Sequence, residues 1–347
     1  MIYNEETAKM SKNDLWELLF ALVIHLLFVC SVFDIYFCSP VISSERHHSP
    51  KYDTKAGPAK RLVLFVADGL RAQSVFDYPE RTPFLRKVAN SLGGYGVSHT
   101  KLPTESRPGH VALIGGMFED PSAITKGWQE NPVDFDTVFN QSQNVWSWGS
   151  PDILPIFAKT ATKGKVRTEM YAPEVETFFE HQDISKLDTW VFDKVGAFLR
   201  NNADNEVLRR SDRTILFLHL LGLDTNGHSN KPHSPQFEHN LRIVDQGVQE
   251  VVRQCESFWG HDGRTAYIFT SDHGMTDWGS HGAGMDHETQ TPIFVWGGGI
   301  RAPQVGRTSV PQFSSMKSHD VNQTDVSQLL FLSRRRNNLY EIFRLPH

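Results

Sequence analysis

The sequence predicts an α/β fold with a mostly parallel sheet, helices on both of its faces, and one transmembrane helix ahead of it. Three observations carry that expectation. Arg61–Ala67 (RLVLFVA), Thr214–Leu221 and Ala266–Phe269 are continuous apolar runs, the pattern of strands buried on both faces. Stretches of helical spacing alternate with them. The clearest is Ser234–Trp259, where Phe237, Leu241, Val244, Val248, Val251, Cys255 and Phe258 recur at steps of three and four. Each of the three runs also ends in a loop bearing a carboxylate, where open α/β sheets gather their ligands.

Taken in order, residues 1–14 are polar and mixed in charge, and Leu15–Phe37 is an apolar run carrying Glu17, His25 and Asp34. A bilayer core needs about 20 such residues in a helix. Lys9 and Lys12 ahead of the run place the N-terminus on the cytosolic side. A cleaved signal peptide has a shorter apolar region and a small-x-small site, and Cys38-Ser39-Pro40 is a poor one. The run therefore reads as an uncleaved signal anchor. Residues 38–60, with Pro40, Pro50, Gly57 and Pro58, read as a linker in which His47-His48 is a solvated pair.

Beyond the first strand, Thr82–Leu92 has helical spacing, Tyr95–Leu102 suits a short strand and Ser106–Met117 a helix. Pro108 is tolerated there because first-turn amides have no partner to lose. Val145–Trp148 and Thr291–Trp296 are further strands, with a helix at Thr189–Asn201. Gly297-Gly298-Gly299 lacks the spacing of a phosphate loop and reads as a turn.

Composition narrows the partners. The 35 basic and 40 acidic residues give a net charge of −5, without the basic field of a nucleic-acid binder, so no nucleic-acid partner is expected. The three cysteines, Cys30, Cys38 and Cys255, have neither metal-ligand spacing nor the number for a disulfide framework.

The chemistry concentrates at the strand ends. Arg61–Ala67 delivers Asp68, Thr214–Leu221 delivers Asp224 and His228, and Ala266–Phe269 delivers Asp272 and His273 with His281 following. Singly, Asp68-Gly69 is also a turn, Asp224 a helix cap beside a surface His228, and Asp272-His273 a loop pair. Together they are six oxygen and nitrogen donors at one sheet edge. That is too many for one tetrahedral zinc and suited to two neighbouring ions with open positions. Such pairs serve phosphoryl chemistry by clamping attacking and leaving oxygens. A nucleophile is then needed, and Thr104, in LPTESRPGH, either supplies it at a helix start or merely caps that helix.

The strings VADGLR, PTESRPGHVAL, LGLDTNGH and TSDHGMTDWGSHG resemble the alkaline phosphatase superfamily. Within it, together with KGWQENPVDFDTVFN and WSWGSPDILPIFAK, they are similar to the GPI ethanolamine phosphate transferases over about residues 22–330. That resemblance implies an alkaline-phosphatase-like core over residues 61–332, in the lumen of the endoplasmic reticulum and anchored by a single pass at 15–37. It implies phosphatidylethanolamine as donor and the first mannose of a GPI-anchor precursor as acceptor. It implies two zinc ions, one on Asp68, Thr104, Asp272 and His273, the other on Asp224, His228 and His281, with Thr104 as the covalent nucleophile. The sequons at Asn140 and Asn322 fit a luminal site.

Two stretches depart from the resemblance. Met285-Asp286-His287 stands where the family reads His-Pro-Ser, and Ser333–His347 is a divergent tail where the family continues into a multi-spanning membrane region. The tail reads as truncation or alternative splicing. A phosphodiester hydrolase and an inactive anchored form stay open as alternatives. A sulfatase is disfavoured because residue 104 is neither Cys nor Ser.

Overall fold

The computed structural model describes residues 12–36, 59–119, 136–159, 161–300 and 320–332. Most of the expected linker and the whole tail at 333–347 lie outside the described residues. A 25-residue helix, Lys12–Tyr36, comes first, and its stretch Lys12–Ser31 has mean hydropathy 1.9 with none of it buried in the protein. By length and composition it can cross a membrane.

The globular part is built on one eight-stranded sheet. Its strands are β1 (Arg61–Ala67), β2 (Gly93–His99), β3 (Asn144–Gly149), β4 (Val166–Met170), β5 (Thr214–Leu220), β6 (Thr265–Thr270), β7 (Gln290–Gly297) and β8 (Val321–Asn322). The spatial order is β4-β3-β5-β1-β6-β7-β2-β8. All neighbours are parallel except β6–β7 and β7–β2, so the last long strand runs against the rest.

Side chains that alternate across the sheet feed two cores. Val63, Phe65 and Ala67 of β1 face the Lys186–Asn201 and Pro235–Phe258 helices. Leu62, Leu64 and Val66 face the Ser106–Gly115 and Leu154–Ala158 helices. The long helix starts where Ser234 Oγ accepts from Phe237 N at 3.1 Å with Pro235 at its first position, and its expected apolar stripe is wholly buried. The Gly297 end of β7 takes φ +89°, as a turn requires.

Local boundaries differ from the sequence expectation in three places. The Ser106–Gly115 helix stops two residues short of Met117, because Gly116 adopts φ +72° and a Cβ there would meet Ser327 Oγ at 2.2 Å. The stretch Thr82–Leu92 divides into a helix, Pro83–Lys87, and a π turn, Val88–Leu92, that buries Val88 and Ala89. β2 ends at His99 rather than Leu102. Of the two sequons, Asn322 is exposed on β8, whereas the half-buried Asn140 donates to Asp136 Oδ1 at 3.0 Å and accepts from Thr162 N at 2.9 Å.

Asp245, buried on the long helix, accepts from Phe84 N and Leu85 N, both at 2.9 Å, satisfying first-turn amides of the Pro83–Lys87 helix. Burial pushes its carboxyl up to about 6 against those two bonds. A raised carboxyl contributes stability below its unfolded value, about 3.9, and loses it as pH rises through the folded value. Urea unfolding of the parent should therefore weaken from pH 4 to pH 6 relative to Asp245→Asn, whose profile should be flatter. Parallel profiles would show that Asp245 does not titrate in that window.

Candidate metal centre

Adjacency of β5, β1 and β6 decides where the donors meet. Ala67 pairs with Leu220 and Val66 with Thr270, so the three strands end level with one another. Asp68 N donates to Leu220 O at 2.9 Å, carrying the pairing one residue past β1 and holding Asp68 on the edge. Gly69 then turns at φ +70°, where a Cβ would lie 2.9 Å from Asp224 Cα, so only glycine lets the two loops close up. Gly69 N donates to Asp272 Oδ1 at 3.3 Å and Leu70 N to Ser271 Oγ at 3.0 Å. Asp224 and His228 sit four apart on the Gly222–Asn230 helix, on one face. The buried Asp188 sets that helix by accepting from Gly222 N at 2.9 Å.

Two donor groups result. In the first, His273 Nε2 lies 3.4 Å from Asp68 Oδ1 and 3.5 Å from Asp272 Oδ2, and all three side chains are fully buried. In the second, His228 Nε2 lies 3.4 Å from Asp224 Oδ2 and 3.1 Å from His281 Nε2, and His281 Nε2 lies 3.7 Å from Asp224 Oδ1. The His273 and His281 rings stack at 4.1 Å, so the groups adjoin. Asp68, Asp272 and His273, like Asp224, His228 and His281, are spaced to hold one ion.

The donor chemistry fits cations. His228, His273 and His281 each point Nδ1 at a backbone carbonyl, those of Gly279 (3.0 Å), Gly274 (2.9 Å) and Thr104 (2.8 Å). An N–H stands at each of those Nδ1 atoms, which turns each Nε2 toward the carboxylates. The Nε2 atoms of His228 and His281 face each other at 3.1 Å, and the Asp224 carboxylate raises His228 above the ordinary histidine value. Asp272 Oδ2 and Asp224 Oδ1 are buried without a hydrogen-bond partner. Burial, then the charges of Asp272 and Asp224, push Asp68 well above the usual carboxylate range. Burial acts on Asp272 too, but the His273 and His110 imidazoles overcome it and hold that carboxyl low.

Thr104 lies beside the two groups, at the turn that carries His281. It is fully buried; its Oγ1 donates to Glu288 Oε2 at 2.5 Å and accepts from Gly282 N at 2.8 Å, and its carbonyl holds His281. Its hydroxyl therefore bonds to neither donor group, while its carbonyl contacts His281 of the second. The hydroxyl within the first group is Ser106, whose Oγ lies 3.4 Å from Asp68 Oδ1 and 3.3 Å from His273 Nε2. Ser106 is also the first residue of the Ser106–Gly115 helix, with Glu105 as its extended N-cap. Two hydroxyls stand two residues apart in the sequence, and only the position of the helix start separates them.

Three further residues escaped the sequence reading. His219 Nε2 lies 3.0 Å from Asp68 Oδ2, and His110 Nδ1 lies 3.4 Å from Asp272 Oδ2; both imidazoles are buried. Burial, then the neighbouring His110, lowers His219 well below the ordinary histidine value, so it is neutral and donates to Asp68. The legible signal was a histidine inside the otherwise apolar strand TILFLHL. Arg71, also buried, donates to Met275 O at 3.2 Å, pairs with Asp277 at 2.6 Å and reaches His287 Nδ1 at 2.9 Å, lashing the loop after β6 to β1. His287, one of the three departing residues, is part of that clamp.

These features match known proteins. The family model for type I phosphodiesterase / nucleotide pyrophosphatase matches residues 62–288. The chain is 50% identical over 326 residues to GPI ethanolamine phosphate transferase 1 of Homo sapiens, covering 89% of this chain and 34% of that protein. Against the protein of the same name in Gibberella zeae it is 47% identical over 344 residues, again 89% of this chain and 34% of the relative. The chain thus spans about a third of the length of the curated relatives it matches. Among solved structures, a 2-O GAG sulfatase superposes with TM-score 0.55 at 15% identity, over 82% of this chain and 74% of that one. A protein of the alkaline phosphatase superfamily from Vibrio parahaemolyticus superposes with TM-score 0.52 at 14% identity, over 82% and 71%. These likenesses show the fold alone. With its family model spanning strands β1 to β6 and every donor described above, the chain belongs to the type I phosphodiesterase / nucleotide pyrophosphatase family.

Proposed function

We propose that the chain carries the catalytic domain of a two-zinc phosphoethanolamine transferase, with Ser106 in the role expected of Thr104. The observation that carries the reading is a half-buried hydroxyl at a helix N-terminus that touches the first donor group and lines one cavity with Asp224 and His228 of the second. Asp68, Asp272 and His273 would hold one ion and Asp224, His228 and His281 the other. When bound, such ions supply positive charge for phosphoryl oxygens and make a neighbouring hydroxyl more acidic.

The chain's own residues supply the rest. Ser106 Oγ attacks phosphorus, the bond to diacylglycerol breaks, and phosphoethanolamine stays esterified to Ser106. A mannose hydroxyl of the GPI precursor then displaces the serine oxygen in a second in-line step. Free amides of the first helical turn face the phosphoryl oxygens. Thr104 is a positioning residue: its carbonyl holds the His281 ring and its hydroxyl ties Gly282 to Glu288. The relatives' printed names support a GPI precursor as acceptor; phosphatidylethanolamine is the donor on this reading, and both being lipids suits a catalytic domain in the lumen of the endoplasmic reticulum behind a span at Lys12–Ser31. The ground for setting aside a sulfatase moves with the nucleophile, since residue 106 is a serine. What now favours phosphoryl over sulfuryl transfer is relatives near 50% identity named as phosphate transferases.

Two measurements test this. The purified chain should bind close to two zinc ions, and Asp272→Asn or His228→Ala should each lower the content to about one, by elemental analysis after dialysis. A parent free of zinc after incubation with zinc salts would remove the metal-centre reading. Ser106→Ala should abolish the phosphoethanolamine adduct seen by intact mass after incubation with phosphatidylethanolamine, whereas Thr104→Ala should slow its appearance without eliminating it. The reverse pattern would return the nucleophile to Thr104.

A further inference from the structure

The family match ends at residue 288, yet a side chain from well beyond it reaches the ion centre. Gln323 opens the Gln323–Leu332 helix and is fully buried. Its Nε2 donates to two successive carbonyls, Ser271 O at 3.2 Å and Asp272 O at 2.5 Å. Its Oε1 accepts from Thr100 Oγ1 at 2.7 Å. Carbonyl oxygens only accept, so the two bonds to Ser271 and Asp272 fix which end of the amide is nitrogen. One side chain thereby joins the loop that presents Asp272 and His273 to the segment that leads from β2 to Ser106.

We propose that Gln323 is a positioning residue for the first donor group, holding the Asp272 backbone so that its carboxylate meets Asp68 and His273 at ion-binding distance. The proposal deepens the reading of the ion centre and rests on it. Three observations carry it. Ser271 and Asp272 lie past Thr270, the last paired residue of β6, so the sheet ladder no longer sets where the Asp272 carboxylate points. That carboxylate is itself loosely held: Oδ1 accepts from Gly69 N and Ser271 Oγ, both at 3.3 Å, and Oδ2 has no hydrogen-bond partner. Its place is therefore inherited from the backbone that Gln323 grips. The helix that carries Ser106 packs against the same Asp272 carbonyl, because a Cβ at Gly109 would lie 2.6 Å from it. Seating the Gln323–Leu332 helix does not account for these bonds, since Ser327, one turn on, already fits it against Gly116.

The test is the zinc affinity of the full chain, read by competition with a chelator, in variants that keep one donor group each. In the His228→Ala chain, which keeps the first group, Gln323→Met should weaken zinc binding by about 10-fold, the lower end of what outer contacts of a metal site contribute. In the Asp272→Asn chain, which keeps the second group, the same substitution should leave the affinity unchanged. Ser327→Ala, which alters the same helix without touching the loop, should leave both affinities unchanged. If Gln323→Met does not fold, Thr100→Val decides, because it removes one of the three bonds and keeps the shape; it should weaken the first group several-fold. An unchanged first group, an equal loss in both groups, or an equal loss with Ser327→Ala overturns the positioning role and leaves the ion centre standing. A His228→Ala chain that binds no zinc with Gln323 intact overturns the reading of the ion centre, and this role with it.

Discussion

The constraint on which the rest depends is negative charge that the sheet itself forces together. The level ends of β5, β1 and β6 bring Asp224, Asp68 and Asp272 into one small volume. Buried carboxylates without cationic partners are costly, and the partners within reach are imidazoles rather than Lys or Arg. The chain reduces the cost in two ways. Asp68 is driven toward its protonated form, and Asp272 leans on His273 and His110. Neither gives Asp224 Oδ1, buried without a hydrogen-bond partner, a counter-charge. Cations remove the whole cost at once, so affinity for ions and stability of this edge are one quantity seen from two sides.

An outer layer converts that frustration into geometry. Three backbone carbonyls fix which ring nitrogen faces inward, His219 braces the far oxygen of Asp68, and His110, bonded through Nδ1 to Ser106 O at 2.7 Å, stands 3.4 Å from Asp272 Oδ2. Arg71 ties the loop after β6 to the loop after β1 and to His287. Among Met285–His287, then, the histidine works on the scaffolding side of the centre rather than among the ion-facing donors. Glu288, next in sequence, takes Thr104 Oγ1 and Gly284 N on one oxygen and so closes the turn after His281.

What the sequence revealed follows from which physics is local. Buried parallel strands announce themselves as unbroken apolar runs, so β1, β5 and β6 were legible, and with them the six donors at their ends. The stripe of the Pro235–Phe258 helix was legible for the same reason. The antiparallel course of β7 was not, because the residues of a buried strand read alike in both directions. Thr104 and Ser106 carry equivalent hydroxyls in the sequence, and only the dihedral change between Glu105 and Ser106 decides which one faces Asp68. His110 and His219 went unread because their value lies in partners more than a hundred residues away in sequence.

On the proposed reading, the division of labour between those two hydroxyls follows from access. A group that attacks a lipid phosphodiester must be reachable by a ligand far larger than water. Thr104 has no exposed surface and both hydrogen-bonding roles of its hydroxyl are taken, so activating it would cost the His281 turn its anchor. Ser106 borders the cavity, makes only long contacts of 3.3 and 3.4 Å, and starts the helix whose free amides suit an anion. A loosely held hydroxyl beside converging donors can exchange those contacts for a bond to phosphorus without dismantling the scaffold. Thr104 keeps the second donor group in place while this happens, because its carbonyl orients His281 however Ser106 is occupied. Reactivity and rigidity are thereby assigned to separate residues of one short turn.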